Sequence, residues 1–71
     1  MDELRISLAA ARVNAGLTQS DVAEKMRVSK ATIVSWEKGK VSLGVAELDY
    51  LSRLYNIPID NIFLPSNSTK S

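Results

Sequence analysis

The chain of 71 residues contains neither cysteine nor histidine. The first absence excludes disulfides and thiolate metal sites and fits a reducing, cytoplasmic setting. The second removes the usual ligand of a zinc site and the usual base of a catalytic triad. No apolar run approaches a membrane span, and charges spread through the first thirty residues leave no apolar core for a signal peptide. Neither a phosphate-cradling glycine loop nor a carboxylate pair in a pocket-forming context is visible. The expectation is therefore no enzyme, no cofactor, no metal and no small-molecule ligand. Three glycines and two prolines break the chain only rarely, and 45% apolar residues make it globular, in one small domain with a thin core.

Charge of one sign is also scarce overall: the net charge is +1. It is unevenly spread. Between residues 25 and 40, Lys25, Arg27, Lys30, Lys38 and Lys40 outnumber Glu37, whereas the segments on either side are net acidic. A solvated helix face would account for such a run. So would phosphate binding, which needs local rather than global positive charge.

The same stretch carries the clearest pattern. Residues 18–39, TQSDVAEKMRVSKATIVSWEKG, read as two short helices joined by a tight turn at Arg27-Val28. Thr18 caps the first, with Asp21 three residues on as a variant capping box, and Ser29 caps the second, which runs over 30–38 and stops at Gly39. Leu17, Val22, Ala23, Met26, Val28, Ile33 and Trp36 fall on the buried side. Trp36 could stack on a base, but its spacing from Ile33 points inward to the core. Lys30, Ala31, Val34, Ser35 and Lys38 are left on one outward face, with Thr32 between the two sides and unassigned. A helix-turn-helix places such a second helix in the DNA major groove.

Helical spacing of Leu4, Leu8, Ala11 and Ala15, flanked by Ile6 and Val13, predicts a first helix over 3–14. Asp2 and Glu3 favour the positive end of its dipole, and Gly16 can adopt the left-handed conformation that ends it. A fourth helix is capped by Gly44, or by Ser42 two residues earlier, with Leu43 stapled onto Leu48. It runs to about Tyr55, with Val45, Leu48, Leu51 and Leu54/Tyr55 inward, Tyr50 also packing and Asn56 as C-cap. Pro58 opens a short fifth helix over 59–64, which Pro65 stops. The tail 65–71 is polar and expected to be disordered, leaving residues 1–64 as the domain.

Over about residues 4–64 the chain resembles the Cro/repressor-type helix-turn-helix domains, the lambda-repressor-like, xenobiotic-response-element family. LTQSDVAEKMRVS, ATIVSWEKG and NIPIDNIFL carry the likeness. The resemblance implies an all-α, compact five-helix lambda-repressor-like fold whose third helix enters the major groove. It implies base contacts from Lys30, Ala31, Val34 and Ser35: lysine can donate to guanine, and alanine and valine can rest against thymine methyls. Phosphate contacts fall to Thr18, Gln19, Ser29, Lys38 and Lys40, with Gln19 matching the residue that reaches a phosphate at the start of the second helix. It also implies a structural ion pair between Arg12 and Glu37. The family often has glycine where this chain has Arg27, and proline before the fourth helix, which this chain lacks.

The partner expected is double-stranded DNA. One recognition helix reaches few base pairs, so a homodimer on an inverted repeat is expected, with Ile59, Asn61 and Ile62 as the candidate dimer contact. The function expected is a sequence-specific transcriptional regulator, a repressor. A restriction–modification controller or an antitoxin-type autoregulator shares the same pattern. A protein-interaction module that has lost DNA binding is the reading from another class, and the positive 25–40 segment argues against it.

Overall fold

The computed structural model describes residues 5–64. Leu4, Asp2 and Glu3, and the tail 65–71, lie outside the described residues. The order of elements is β1 (Ile6–Ser7), α1 (Leu8–Asn14), α2 (Gln19–Met26), α3 (Lys30–Lys38), α4 (Val45–Tyr55), a 3-10 turn (Ile59–Asn61) and β2 (Ile62–Phe63). One core unites them: Leu8 and Ala11 from α1, Val22 and Ala23 from α2, Ile33 and Trp36 from α3, Leu51 and Tyr55 from α4, and Ile62 from β2. Full burial of a Leu, Ile or Val side chain stabilises by roughly 1.5–3 kcal/mol. Leu8, Ile33 and Val22, the largest fully buried side chains, therefore hold three of the four helices together.

Local chemistry sets the helix starts. Thr18 and Ser29 cap α2 and α3, each accepting the N–H three residues on, at 3.0 and 3.1 Å. Gly44 stands at the N-cap of α4 without a side-chain bond. All four α-helices finish in the same way, on a left-handed residue: Gly16 (φ 77°), Arg27 (60°), Gly39 (78°) and Asn56 (59°). In each case the next N–H reaches back five residues: Leu17 to Arg12, Val28 to Ala23, Lys40 to Ser35 and Ile57 to Ser52, at 2.9–3.2 Å. These are Schellman closures, which normally add an apolar contact from that last residue. Leu17, Val28 and Ile57 supply it by packing on the core. After α3 the position holds an exposed lysine, Lys40.

Both ends depart from the sequence expectation. The first helix begins at Leu8, not residue 3, because the Ser7 hydroxyl caps it by accepting the Ala10 N–H at 3.0 Å. Ile6 and Ser7 are instead extended and pair in parallel with Ile62 and Phe63. Ala15 follows the helix and is exposed, so it takes no part in the inward stripe. The expected fifth helix over 59–64 is a single 3-10 turn, closed by the Asn61 N–H on the Pro58 carbonyl at 2.9 Å, that runs into β2. Proline cannot donate, and the β-branched Ile62 is drawn into the strand pair. The fold is thus a mostly helical four-helix domain with a two-residue parallel seam.

Two inward assignments on α4 also change. Val45 is 84% exposed and Tyr50 is exposed, whereas Leu51 and Tyr55 are buried. Val45 is the first residue of α4, the farthest along the helix from Leu51 and Tyr55, and Tyr50 lies about 100° around the helix from Leu51. Among the described residues no helix is long and apolar enough to cross a membrane.

Candidate nucleic-acid interface

The α2–α3 joint depends on a backbone conformation that L-residues rarely adopt. Arg27 takes it at φ 60° without being glycine, at a cost of roughly 1 kcal/mol. The Schellman bond from Val28 to Ala23 offsets part of that cost by satisfying a carbonyl at the end of α2. At the other end of α2, Thr18 and Asp21 form a reciprocal capping box. The Thr18 N–H donates to Asp21 Oδ2 at 2.8 Å, and the Asp21 N–H donates to Thr18 Oγ1. The Thr18 backbone bond, then its side chain, hold the Asp21 carboxyl below its ordinary value.

A polar clamp joins α1, α2 and α3 behind this motif. Arg12 Nε donates to Glu37 Oε2 at 2.7 Å and its Nη2 to Oε1 at 3.4 Å, while Nη1 donates to the Leu17 carbonyl at 3.0 Å. Gln19 Nε2 donates to the same Glu37 Oε1 at 2.9 Å. The Arg12 and Glu37 side chains are only 13% and 7% exposed, so this pair is largely removed from water. The extra bonds from Gln19 and to Leu17 satisfy groups that burial would otherwise leave costly. Tyr55 lies within the field of the pair. Burial pushes its phenol up to about 12; the Glu37 charge acts in the same direction and Arg12 opposes it.

With Ile33 and Trp36 buried and Glu37 clamped, the outward side of α3 is fixed. Lys30, Ala31 and Lys38 are exposed, and Val34 and Ser35 are half-buried. Ala31, Val34, Ser35 and Lys38 follow one another at helical spacing, with Lys30 beside them. Val34 is therefore not the fully exposed side chain that its outward position suggests. Ser29 and Thr18 are exposed, and both hydroxyls also serve their helices as caps. Lys40 is exposed just past the Gly39 turn. Gln19 is half-buried with one amide hydrogen on Glu37; its NH2 group carries a second donor.

Two partners escaped sequence reading. The Thr32 hydroxyl lies 3.0 Å from the Ser29 hydroxyl, so this residue belongs to the start of α3. Its N3 position after a serine cap was the available signal. The bond from Gln19 to Glu37 had no local signal, because it links residues from the beginning and end of the motif. Of the candidate dimer residues, Ile62 must be withdrawn as a surface contact: it is 7% exposed and belongs to the core through its place beside Ile6. Ile59 is exposed and Asn61 half-buried. Strand alternation turns Phe63 outward, at 51% exposure.

Comparison with known proteins agrees with this geometry. A family model described as helix-turn-helix matches residues 8–62. An uncharacterized HTH-type transcriptional regulator of Methanocaldococcus jannaschii is 35% identical over 48 residues, covering 68% of this chain and 73% of the relative. Another, from Archaeoglobus fulgidus, is 31% identical over 61 residues, covering 86% of this chain and 87% of the relative. No solved structure matches the chain. With the motif formed by α2 and α3 and the match running from α1 to β2, the chain belongs to the Cro/repressor-type helix-turn-helix family.

Proposed function

We propose that this protein is a sequence-specific transcriptional repressor that binds double-stranded DNA as a homodimer on an inverted repeat. The observation that carries the reading is the α3 face. Its outward stripe is free of core contacts at Lys30, Ala31 and Lys38, while the clamp on Glu37 fixes its rotation about the helix axis. In this reading Lys30, Ala31, Val34 and Ser35 meet base edges. Thr18, Gln19, Ser29, Lys38 and Lys40 meet phosphates, with the second amide hydrogen of Gln19 available to a phosphate oxygen. The positive surplus between residues 25 and 40 then supplies the non-specific attraction. Repression follows from occupancy: a small domain seated on an operator blocks access to it. The dimer contact is assigned to the exposed side of the C-terminal region, at Ile59 and Asn61, with Phe63 in the place of Ile62.

Selection from a random duplex library with the purified protein, at moderate salt, tests this. The expected result is an enriched inverted repeat with half-sites about one helical turn apart. Lys30→Ala should then relax preference at one base position by about 1–3 kcal/mol, and Lys40→Ala should weaken all sequences alike while lowering the salt slope by about one. Weak, salt-sensitive binding with no enriched sequence would overturn it.

A further inference from the structure

A groove that none of these roles uses lies between the end of α2 and the start of α4. Lys25, Met26, Arg27, Ala46, Glu47 and Tyr50 line it, and its volume is about 290 Å³. That is at the lower limit of pockets for small organic ligands, and it suits one large side chain better than a whole cofactor. Its apolar part consists of the half-buried Met26 thioether, the small Ala46 and the exposed ring of Tyr50. An unbranched thioether and an amphipathic ring accommodate a protein side chain well.

The rim is charged in one sense on one side. Lys25 and Arg27 are exposed; Lys25 also lies in the field of Asp21 one turn back along α2, without a direct ion-pair contact among the described residues. Arg27 cannot swing away with its backbone, because its left-handed conformation is held by the bonds that close α2. Its guanidinium fork can take a carboxylate through two parallel bonds. On the far side the Glu47 carboxylate folds back over Gly44, close to where a β-carbon would sit.

From this charge pattern we propose that the groove binds an acidic peptide segment of a partner protein. One aromatic or branched apolar side chain of the segment sits between Met26 and Tyr50, and flanking Asp or Glu residues engage Lys25 and Arg27. The consequence for regulation rests on the DNA-binding reading. The segment neutralises two of the positive charges in the 25–40 region and so weakens attraction to phosphate, relieving DNA binding without touching α3.

The test needs no DNA for its first arm. A display library of random dodecapeptides is selected on the folded protein, and the enriched peptides are measured against Lys25→Glu and Tyr50→Ala. Tyr50→Ala should melt with the wild type; Lys25→Glu places an acid in the last turn of α2, four residues from Asp21, so its affinity is read well below its own melting temperature. The expected outcome is a consensus of one aromatic or apolar residue flanked by Asp and Glu, whose affinity falls by about tenfold in each variant. Wild-type NMR signals from the Met26 methyl and the Tyr50 ring should shift on binding. Absence of such a consensus, equal affinity for Tyr50→Ala, or shifts centred on Lys30–Lys40 would each overturn the proposal. In a second arm, Lys25→Glu shifts the local charge by two units, as the bound segment does, so it should weaken duplex binding to all sequences alike, by less than Lys30→Glu. A loss as large as that of Lys30→Glu would assign the rim cations to the DNA backbone instead and sink the peptide site. Failure of the duplex library selection with a positive peptide arm would remove only the DNA-binding reading.

Discussion

Two joints hold distant parts of this chain together, and they work by opposite physics. The clamp of Arg12, Glu37 and Gln19 ties α1 and α2 to α3 through directional, charged hydrogen bonds. The seam of β1 and β2 ties the first described strand to the last through Ile6 and Ile62, by apolar packing and a short ladder. Apolar packing stabilises whatever is brought together and tolerates small shifts. A buried ion pair gains little net stability over an apolar pair of similar volume, but it permits one orientation and penalises the rest. The clamp sits where rotation matters, at the end of the helix bearing the outward stripe, whereas the seam sits where only closure of the core matters.

The largest effect should come from breaking the clamp on one side. Arg12→Ala leaves Glu37 buried without its partner and should destabilise the fold by about 3–5 kcal/mol, read by chemical denaturation. The double variant Arg12→Met/Glu37→Leu removes both charges and should recover most of that loss while blurring base preference in a selected operator. Unchanged stability in Arg12→Ala would show the clamp to be ornamental. Next comes the seam. Ile62→Ala should cost about 2–4 kcal/mol, mostly from lost burial and the cavity left behind, with base preference intact once the protein is folded.

A smaller effect should appear in alkali. The Tyr55 phenol lies in the core beside the clamp and keeps its proton up to about 12 in the folded chain, against 10.0 as its ordinary value. The folded state therefore holds a proton that the unfolded chain gives up. The Tyr55 contribution is complete below pH 10 and is lost as pH rises from there towards about 12. Tyr55→Phe should flatten the denaturation curve in that window, and a curve that keeps its slope would contradict the assignment. The smallest effect should come from a position in neither joint. Gly44→Ser supplies the missing side-chain cap of α4 and completes a capping box with Glu47, stabilising by a few tenths of a kcal/mol. A β-carbon there meets only the flexible end of Glu47, which can move.

Elements governed by neighbouring residues were legible in the sequence. Thr18 and Ser29 announce helix starts by hydroxyls three residues from the N–H they accept, and Gly16, Gly39 and Asn56 announce ends by tolerating positive φ. The outward stripe of α3 follows from the same short-range periodicity. What escaped depends on partners far along the chain. Ile6 looks helical beside Leu4 and Leu8 because nothing local reveals Ile62 as its neighbour. Residues 59–64 look helical after Pro58 for the same reason. Gln19 shows its position at a helix start but not its bond to Glu37, and Val45 shows apolarity but not the angle at which α4 lies on the core.

The seam also has a consequence in time. Ile6 and Ile62 pair near the two ends of the described chain, so bringing them together closes nearly the longest loop available. The contacts between α2 and α3 span only one turn of sequence and carry little of that entropy cost. Collapse can therefore begin in the helix-turn-helix and finish with the strands. A substitution such as Ile62→Ala should act chiefly by hastening unfolding and hardly by slowing folding, because the transition state has not yet formed the contact it removes. The helix-turn-helix would then be the first part of the molecule to form and the last to be lost.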